Sequence, residues 1–337
     1  MKIIDLEHHF FTPKYLEYLR QRKQPPREVI DEDGPNLWYD DTHSSPRSFD
    51  LDERMADMGE RRLKDMDDNG VDMAVLSLSP PGVQNIDPAD GSAWARSIND
   101  ELSQVVRQHP DRFIGLACIA PQNPEEAADE IERSVNEGGL KGVAIYSHSR
   151  NEYLDDKKYW PIFEKAAKLD VPVCMHPELP SSLILPGYAD YGFVLAGPIL
   201  GFAADVALHT VRLILSGLFD RYPELQMVLG HLGEGLPFWL ERLDAKLLQP
   251  RNNPGVSLER KPSDYIRTNF TFTTSAMFYL PAFVCAHMSV GANRMAFAVD
   301  YPYMGFEKAI KFLNDAPIPD ADKETMFHRS AERLFKL

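Results

Sequence analysis

Four short stretches of this chain place imidazoles and carboxylates where apolar runs stop. Glu7-His8-His9 follows Ile3–Leu6, His176 follows Val171–Met175, His231 follows Gln226–Gly230, and Asp300 follows Met295–Val299. Neutral imidazole nitrogens are ligands for zinc, manganese or iron, and carboxylates neutralise the charge of the ion. The chemistry open to these residues together is that of a bound divalent cation. Residues i and i+2 of a strand share a face, so Glu7 and His9 point together as ligands, while His8 points away into packing or support. Gly230-His231-Leu232-Gly233-Glu234-Gly235 opens a helix. The three-residue spacing lets Glu234 hold the His231 imidazole and raise its basicity. The alternative makes His231 a fifth ligand or mere filler and leaves Glu234 to favour the helix dipole. Arg242, two turns into that helix, is spaced either to reach back and grip a substrate carboxylate or to pair on the surface with Glu241 or Asp244.

These groups are remote along the chain, so the fold must gather them. Strands are expected at Ile3–Glu7, Met73–Ser77, Phe113–Ile119, Gly142–Tyr146, Val171–His176, Gln226–Gly230, Asn269–Thr273 and Met295–Asp300. Most are continuous apolar runs rather than alternating ones, as in parallel strands covered on both faces. Between them lie helical patterns at Asp52–Asn69, Ser92–His109, Pro124–Glu137, Lys158–Leu169, Ala207–Arg221, Leu236–Leu248, Tyr279–Gly291 and Phe306–Asn314; Gly70, Gly138-Gly139 and Gly291 close three of them, and Pro110 and Pro223 follow two others. Eight strands alternating with eight helices is the count of an α/β (β/α)8 TIM barrel, one domain over residues 1–337. An open doubly wound sheet is the alternative, but no G-x-G-x-x-G follows any strand. On a barrel, the strand ends named above share the C-terminal rim, where catalytic groups sit. Loop insertions at about 22–50 and 178–205 follow strand ends on that face and read as lids or subunit contacts; a last helix, Asp320–Lys336, is expected to pack outside.

Composition narrows the function classes. The 337 residues carry 36 Lys+Arg against 51 Asp+Glu, a formal net charge of −15. A nucleic-acid partner needs a basic footprint and an anionic membrane surface attracts basic segments, so neither is expected. Cys118, Cys174 and Cys285 lie far apart in apolar runs, as buried thiols of a reducing cytoplasm do. The start MKIIDLEHHFF is too polar for a signal peptide, and the longest apolar stretch, Phe193–Ala204, is too short to span a bilayer. The fourth strand end offers no bridging carboxylate, and Lys141 precedes the strand, which favours one metal over two. A G-x-S-x-G elbow and a P-loop are absent from the sequence. His209 is read as a helix residue, His109 as a residue before Pro110, and His43, His148, His287 and His328 as surface or loop residues.

The sequence resembles the decarboxylase branch of the amidohydrolase superfamily, with γ-resorcylate, 2,3-dihydroxybenzoate, 5-carboxyvanillate and aminocarboxymuconate semialdehyde decarboxylases. Matching stretches run along nearly the whole chain: Glu7-His8-His9-Phe10, Ser79–Gln84, Asn99-Asp100, Pro110–Phe113, Met175–Glu178 and Ser216–Pro223. The most specific are Gly230–Pro237, Thr268–Phe270 with Thr273–Ser275, and Val299–Pro302. The resemblance implies metal ligands Glu7, His9, His176 and Asp300, a catalytic and substrate-contacting His231 backed by Glu234, and a substrate-binding Arg242. It also implies one Zn2+ or Mn2+, a homodimer or homotetramer, and a hydroxybenzoate-type aromatic carboxylate as substrate. Two departures stand out: the usual Glu-Glu-His is Glu7-His8-His9, and Ala276 replaces a usual Gly before Met277-Phe278-Tyr279.

For such a substrate, protonation of the ring carbon followed by loss of CO2 avoids an aryl anion. Asp300 is the first candidate donor, and the His231–Glu234 pair the second, as donor or as the base that ionises the hydroxyl. No organic cofactor is expected, because the ring is its own electron sink. The rival expectation is a metal-dependent hydrolase or hydratase of a lactone or unsaturated acid. A non-catalytic, metal-stabilised binding scaffold is a third, and it would require a closed metal site.

Overall fold

A computed structural model describes residues 1–247 and 256–337. Eight strands run parallel in chain order, each hydrogen-bonded to its sequence neighbours. They are β1 (Ile4–Phe10), β2 (Met73–Leu78), β3 (Phe113–Cys118), β4 (Gly142–Tyr146), β5 (Val173–His176), β6 (Met227–Leu229), β7 (Phe270–Thr273) and β8 (Met295–Ala296). β8 is shorter than its apolar run predicts, because the chain beyond Ala296 leaves the regular ladder. It still closes the circle on β1: Leu6 N–H donates to the Phe297 carbonyl (3.1 Å), Tyr301 N–H to Glu7 (3.0 Å) and His9 N–H to Tyr301 (2.7 Å). The result is the expected (β/α)8 barrel.

Helices separate the strands, and two expected ones are broken. The 52–69 pattern is two helices, Phe49–Ala56 and Glu60–Asp68. Between them Asp57 turns its carboxylate onto the Gly59 N–H (2.6 Å), a side-chain bond that competes with the helix ladder. The 207–221 pattern splits into Gly201–Leu215 and Leu218–Arg221 at Gly217, whose φ of +82° ends a helix and suits glycine. The helix expected at 236–248 runs Leu236–Leu247; residue 248 lies outside the described residues. Among the described residues no single helix is long and apolar enough to cross a membrane.

The apolar core has three parts. Two lie between the strands and the outer helices. The third fills the barrel: Ile4, Leu6, Met73, Val75, Ile114 and Leu116 pack with Ala331, Leu334 and Phe335. The terminal segment, expected to pack outside, therefore plugs the barrel floor with its last turns. An amphipathic pattern shows that a helix buries one face, but not which surface receives it.

The two insertions are folded. Residues 27–46 form a three-stranded antiparallel sheet, Arg27–Asp31, Gly34–Trp38 and Ser44–Pro46. The 178–205 insertion winds through short helical turns into the Gly201–Leu215 helix. They meet where the Tyr39 ring stacks on Phe193, centroids 5.5 Å apart and planes at 17°.

Candidate active site

In β1, Asp5 pairs with Ala74 and His8 with Leu76, so Leu6 and Glu7 together oppose Val75. That extra residue is a β-bulge, which re-aims the side chains beyond it. Ile4 and Leu6 below the bulge face the barrel interior, and Glu7 and His9 above it do too; Leu6 and Glu7 line the same hollow beneath the rim. The i, i+2 expectation holds above the bulge, where His8 turns outward against Tyr301 and Phe306.

Glu7, His9, His176 and Asp300 converge from β1, the end of β5 and the segment after β8. One donor atom from each lies within 4.8 Å of all the others. Glu7 Oε1 is 3.3 Å from His176 Nε2 and 3.7 Å from His9 Nε2, and His9 Nε2 is 3.1 Å from Asp300 Oδ1. His176 Nδ1 donates to the Pro177 carbonyl (2.7 Å), which leaves Nε2 to face the cluster as a lone-pair donor. Burial opposes ionisation of Glu7, yet the imidazoles of His176, His9 and His231 outweigh it and hold the carboxyl well below its usual range. Burial likewise opposes charge on His9, but Asp300 and Glu7 lift it to about 9, whereas burial wins at His176 and lowers it.

His231 leaves β6 beside this cluster, its Nε2 3.8 Å from Glu7 Oε1. Its Nδ1 meets Glu234 Oε1 at 2.6 Å, the carboxylate–imidazole pair that the spacing indicates. Burial works against a charged His231, but Glu234, with Glu7 and Asp300, raises it to about 10. The turn between them is tight. A side chain at Gly233 (φ +76°) would meet the Phe272 ring at 2.8 Å, and His231, Leu232 and Glu234 all adopt left-handed φ near +50° to +60°. Asp300 has φ +78°. Such conformations cost on the order of 1–3 kcal/mol each and persist where the surroundings impose them, commonly at working sites.

Arg242 is not brought to the cluster. It is exposed on the Leu236–Leu247 helix and lines an outer cleft of about 700 Å3 with Ile214, Phe238 and Pro262. Single-helix spacing could not reveal which way that helix faces the barrel. Among the other histidines, His43 and His148 lie in loops as expected but are buried, and His287 and His328 sit half-buried on helices, against Asp322 and Glu332.

The sequence reading missed several side chains at this rim. Tyr303 packs edge-on to His9 at 5.5 Å and shares a hydrogen bond with Ser79 (3.2 Å). Thr273 offers its hydroxyl to Glu7 Oε2 at 3.5 Å. Buried Asp5, whose carboxylate takes the Glu7 N–H at 3.1 Å and meets His8 Nε2 at 2.9 Å, has no local signal, because residues i and i+3 of a regular strand face opposite ways and only the bulge brings the two together. Tyr303 has none either, because its partners are distant in sequence.

The donor set fits one divalent cation. It combines two imidazoles with two carboxylates, and Glu7 Oε1 is buried without a hydrogen bond, an expense that a ligated ion removes. The hollow beneath the cluster is only about 30 Å3, so a ring must enter from the rim side.

Comparison with known proteins agrees. Residues 4–337 match the amidohydrolase model Amidohydro_2. The chain is 36% identical over 291 residues to a γ-resorcylate decarboxylase from Polaromonas sp. (strain JS666 / ATCC BAA-500), covering 84% of this chain and 89% of that one. Its fold superposes on 5-carboxyvanillate decarboxylase LigW from Sphingomonas paucimobilis with a TM-score of 0.90 and 36% identity, over 100% and 99% of the two chains. A dihydroxybenzoic acid decarboxylase from Polaromonas sp. JS666, solved with manganese and the inhibitor 2-nitroresorcinol, gives a TM-score of 0.87 at 34% identity, over 100% and 97%. A match that begins in β1 and runs to the last residue makes the chain a member of the amidohydrolase family.

Proposed function

We propose that this chain catalyses the non-oxidative decarboxylation of an aromatic acid bearing a hydroxyl beside its carboxylate, with one divalent ion held by Glu7, His9, His176 and Asp300. The chain is an aromatic-acid decarboxylase, a carboxy-lyase of the amidohydrolase family. One observation carries the residue assignment: four donors from remote strands meet beside a carboxylate-backed imidazole. The ion, manganese or zinc, supplies charge neutralisation and a fixed anchor for substrate oxygens. Manganese is the first choice, since the dihydroxybenzoic acid decarboxylase contains it.

Direct cleavage of the ring–carboxylate bond would leave an aryl anion. The ring carbon is therefore protonated first, as the hydroxyl feeds electron density into the ring. The carbon–carbon bond then breaks, its electron pair restores aromaticity, and CO2 departs. Asp300 delivers the proton, because its carboxyl lies at the rim within the donor cluster. His231, which Glu234, Glu7 and Asp300 keep protonated against burial, donates a hydrogen bond to the substrate hydroxyl oxygen. Tyr303, against His9, walls the ring. No organic cofactor is invoked, because the ring accepts the electrons itself.

Assembly as a homodimer or homotetramer is part of the proposal. Leu183, Tyr191, Val194, Ile199 and Phe238 are all more than half exposed, large apolar side chains of the kind that subunits cover. Incubation of the manganese-loaded protein with a panel of hydroxybenzoates should release CO2 stoichiometrically with loss of ultraviolet absorbance. Retention of all substrate carbon, as in addition of water, would overturn the decarboxylation.

A further inference from the structure

An unbroken β1 with Ile4 and Leu6 in the barrel would carry His8 inward and Glu7 and His9 outward, because strand side chains alternate. The bulge at Leu6-Glu7 reverses that outcome. A bulge interrupts the ladder and leaves backbone groups to be satisfied elsewhere. Here Asp5 satisfies them: its Oδ1 accepts the Glu7 N–H (3.1 Å) and also the Val299 N–H (3.0 Å), next to Asp300. One oxygen thus ties together the two segments that carry Glu7 and Asp300.

The other oxygen, Oδ2, pairs with His8 Nε2 at 2.9 Å, and both side chains are fully buried. The His8 ring stacks on Tyr301 with centroids 4.7 Å apart and planes at 24°. The Arg62 guanidinium lies 5.0 Å from the centre of the Tyr301 ring and donates to the His9 carbonyl at 2.8 Å. A buried carboxylate is costly and an apolar side chain could fill the same volume, so packing alone does not account for Asp5. None of these four side chains is in the donor cluster.

We propose that Asp5 is a positioning residue: it holds the bulge that turns Glu7 and His9 toward the metal, and His8, Tyr301 and Arg62 lock it in place. The proposal rests on the reading of Glu7, His9, His176 and Asp300 as ligands. It also gives the buried His8 a role, since Asp5 and His8 act as one unit.

The test is manganese affinity of the metal-stripped full chain, read from the electron paramagnetic resonance signal of free Mn2+. Wild type should bind one ion and Glu7→Gln should lose it; if Glu7→Gln does not, the ligand reading itself fails. Asp5→Ala should weaken binding by roughly 10–100-fold, the range for partners that orient metal ligands. Asp5→Asn keeps an acceptor for both backbone N–H groups and should bind much as wild type does. Ile162→Ala, in a remote part of the core, should lower Tm without moving the affinity. Wild-type affinity in folded Asp5→Ala, with Glu7→Gln defective, overturns the proposal. Should Asp5→Ala not fold, His8→Phe keeps a ring against Tyr301 but removes the partner of Oδ2. About tenfold weaker binding then supports the brace, and unchanged binding overturns it.

Discussion

The two ends of the barrel are built from the same strands and do opposite work. At the floor, Ile4, Leu6, Ala331, Leu334 and Phe335 form a buried apolar plug. At the rim, a few residues further along those strands, Glu7, His9, His176 and Asp300 crowd charges and lone pairs together. Backbone strain follows the same division. His231, Leu232, Glu234, Ala276 and Asp300 take left-handed conformations after strands β6 to β8, whereas Asp170 and Lys336 do so where helices end, an ordinary place for it. Stability is concentrated where packing is unconstrained by chemistry, and the rim spends part of it to hold groups in place. In β1 the change from one regime to the other happens within a single bulge.

Four measurements test this division, beginning with the largest effect. Asp300→Asn, which keeps shape at the rim but cannot deliver the proton, should cost on the order of 10²–10⁴-fold in kcat while the Tm of the protein barely moves. Near-normal turnover would remove Asp300 from the proton step. At the floor the pattern should invert. Phe335→Ala should lower unfolding free energy by about 3–5 kcal/mol in denaturant titrations and leave manganese affinity unchanged. A change in affinity would mean that the two ends are coupled.

The rim also rests on a buried neutral imidazole. His209 accepts the Leu154 N–H at 3.0 Å, and burial holds its pKa down to about 3. Because the unfolded chain takes the proton near the ordinary value, this contribution is complete above about pH 6.5 and drains away as pH falls toward 3. At pH 4 wild type should lose on the order of 3 kcal/mol through this group. His209→Gln, which retains an acceptor, should flatten the dependence; an identical slope in the variant would remove His209 as its origin. The smallest effect concerns Ala276, which holds φ +50°, a conformation that glycine adopts without strain. Ala276→Gly should relieve left-handed strain and raise stability by about 1 kcal/mol, measured as a shift in urea midpoint.

Much of the architecture was legible in the sequence because parallel barrel strands are buried on both faces and read as apolar runs. β4 was located residue for residue, and the pairing of His231 with Glu234 followed from a three-residue spacing. Local spacing fails where a contact joins distant segments. Tyr303 beside His9, Thr273 beside Glu7 and the stack of Tyr39 on Phe193 have no sequence signature. Arg242 shows the converse: a plausible spacing whose helix presents it to an outer cleft.

By itself, then, the amino-acid sequence determined the alternation of strands and helices, the types of donor at the strand ends and the local pairs, since each depends on residues within a turn or two of one another. Only the tertiary structure decided that Leu6 and Glu7 both face inward, that the last helix plugs the floor and that four donors meet within one coordination sphere. Those outcomes depend on closure of the barrel, in which the Asp5 carboxylate and the Val299 N–H, nearly three hundred residues apart, come to share a hydrogen bond.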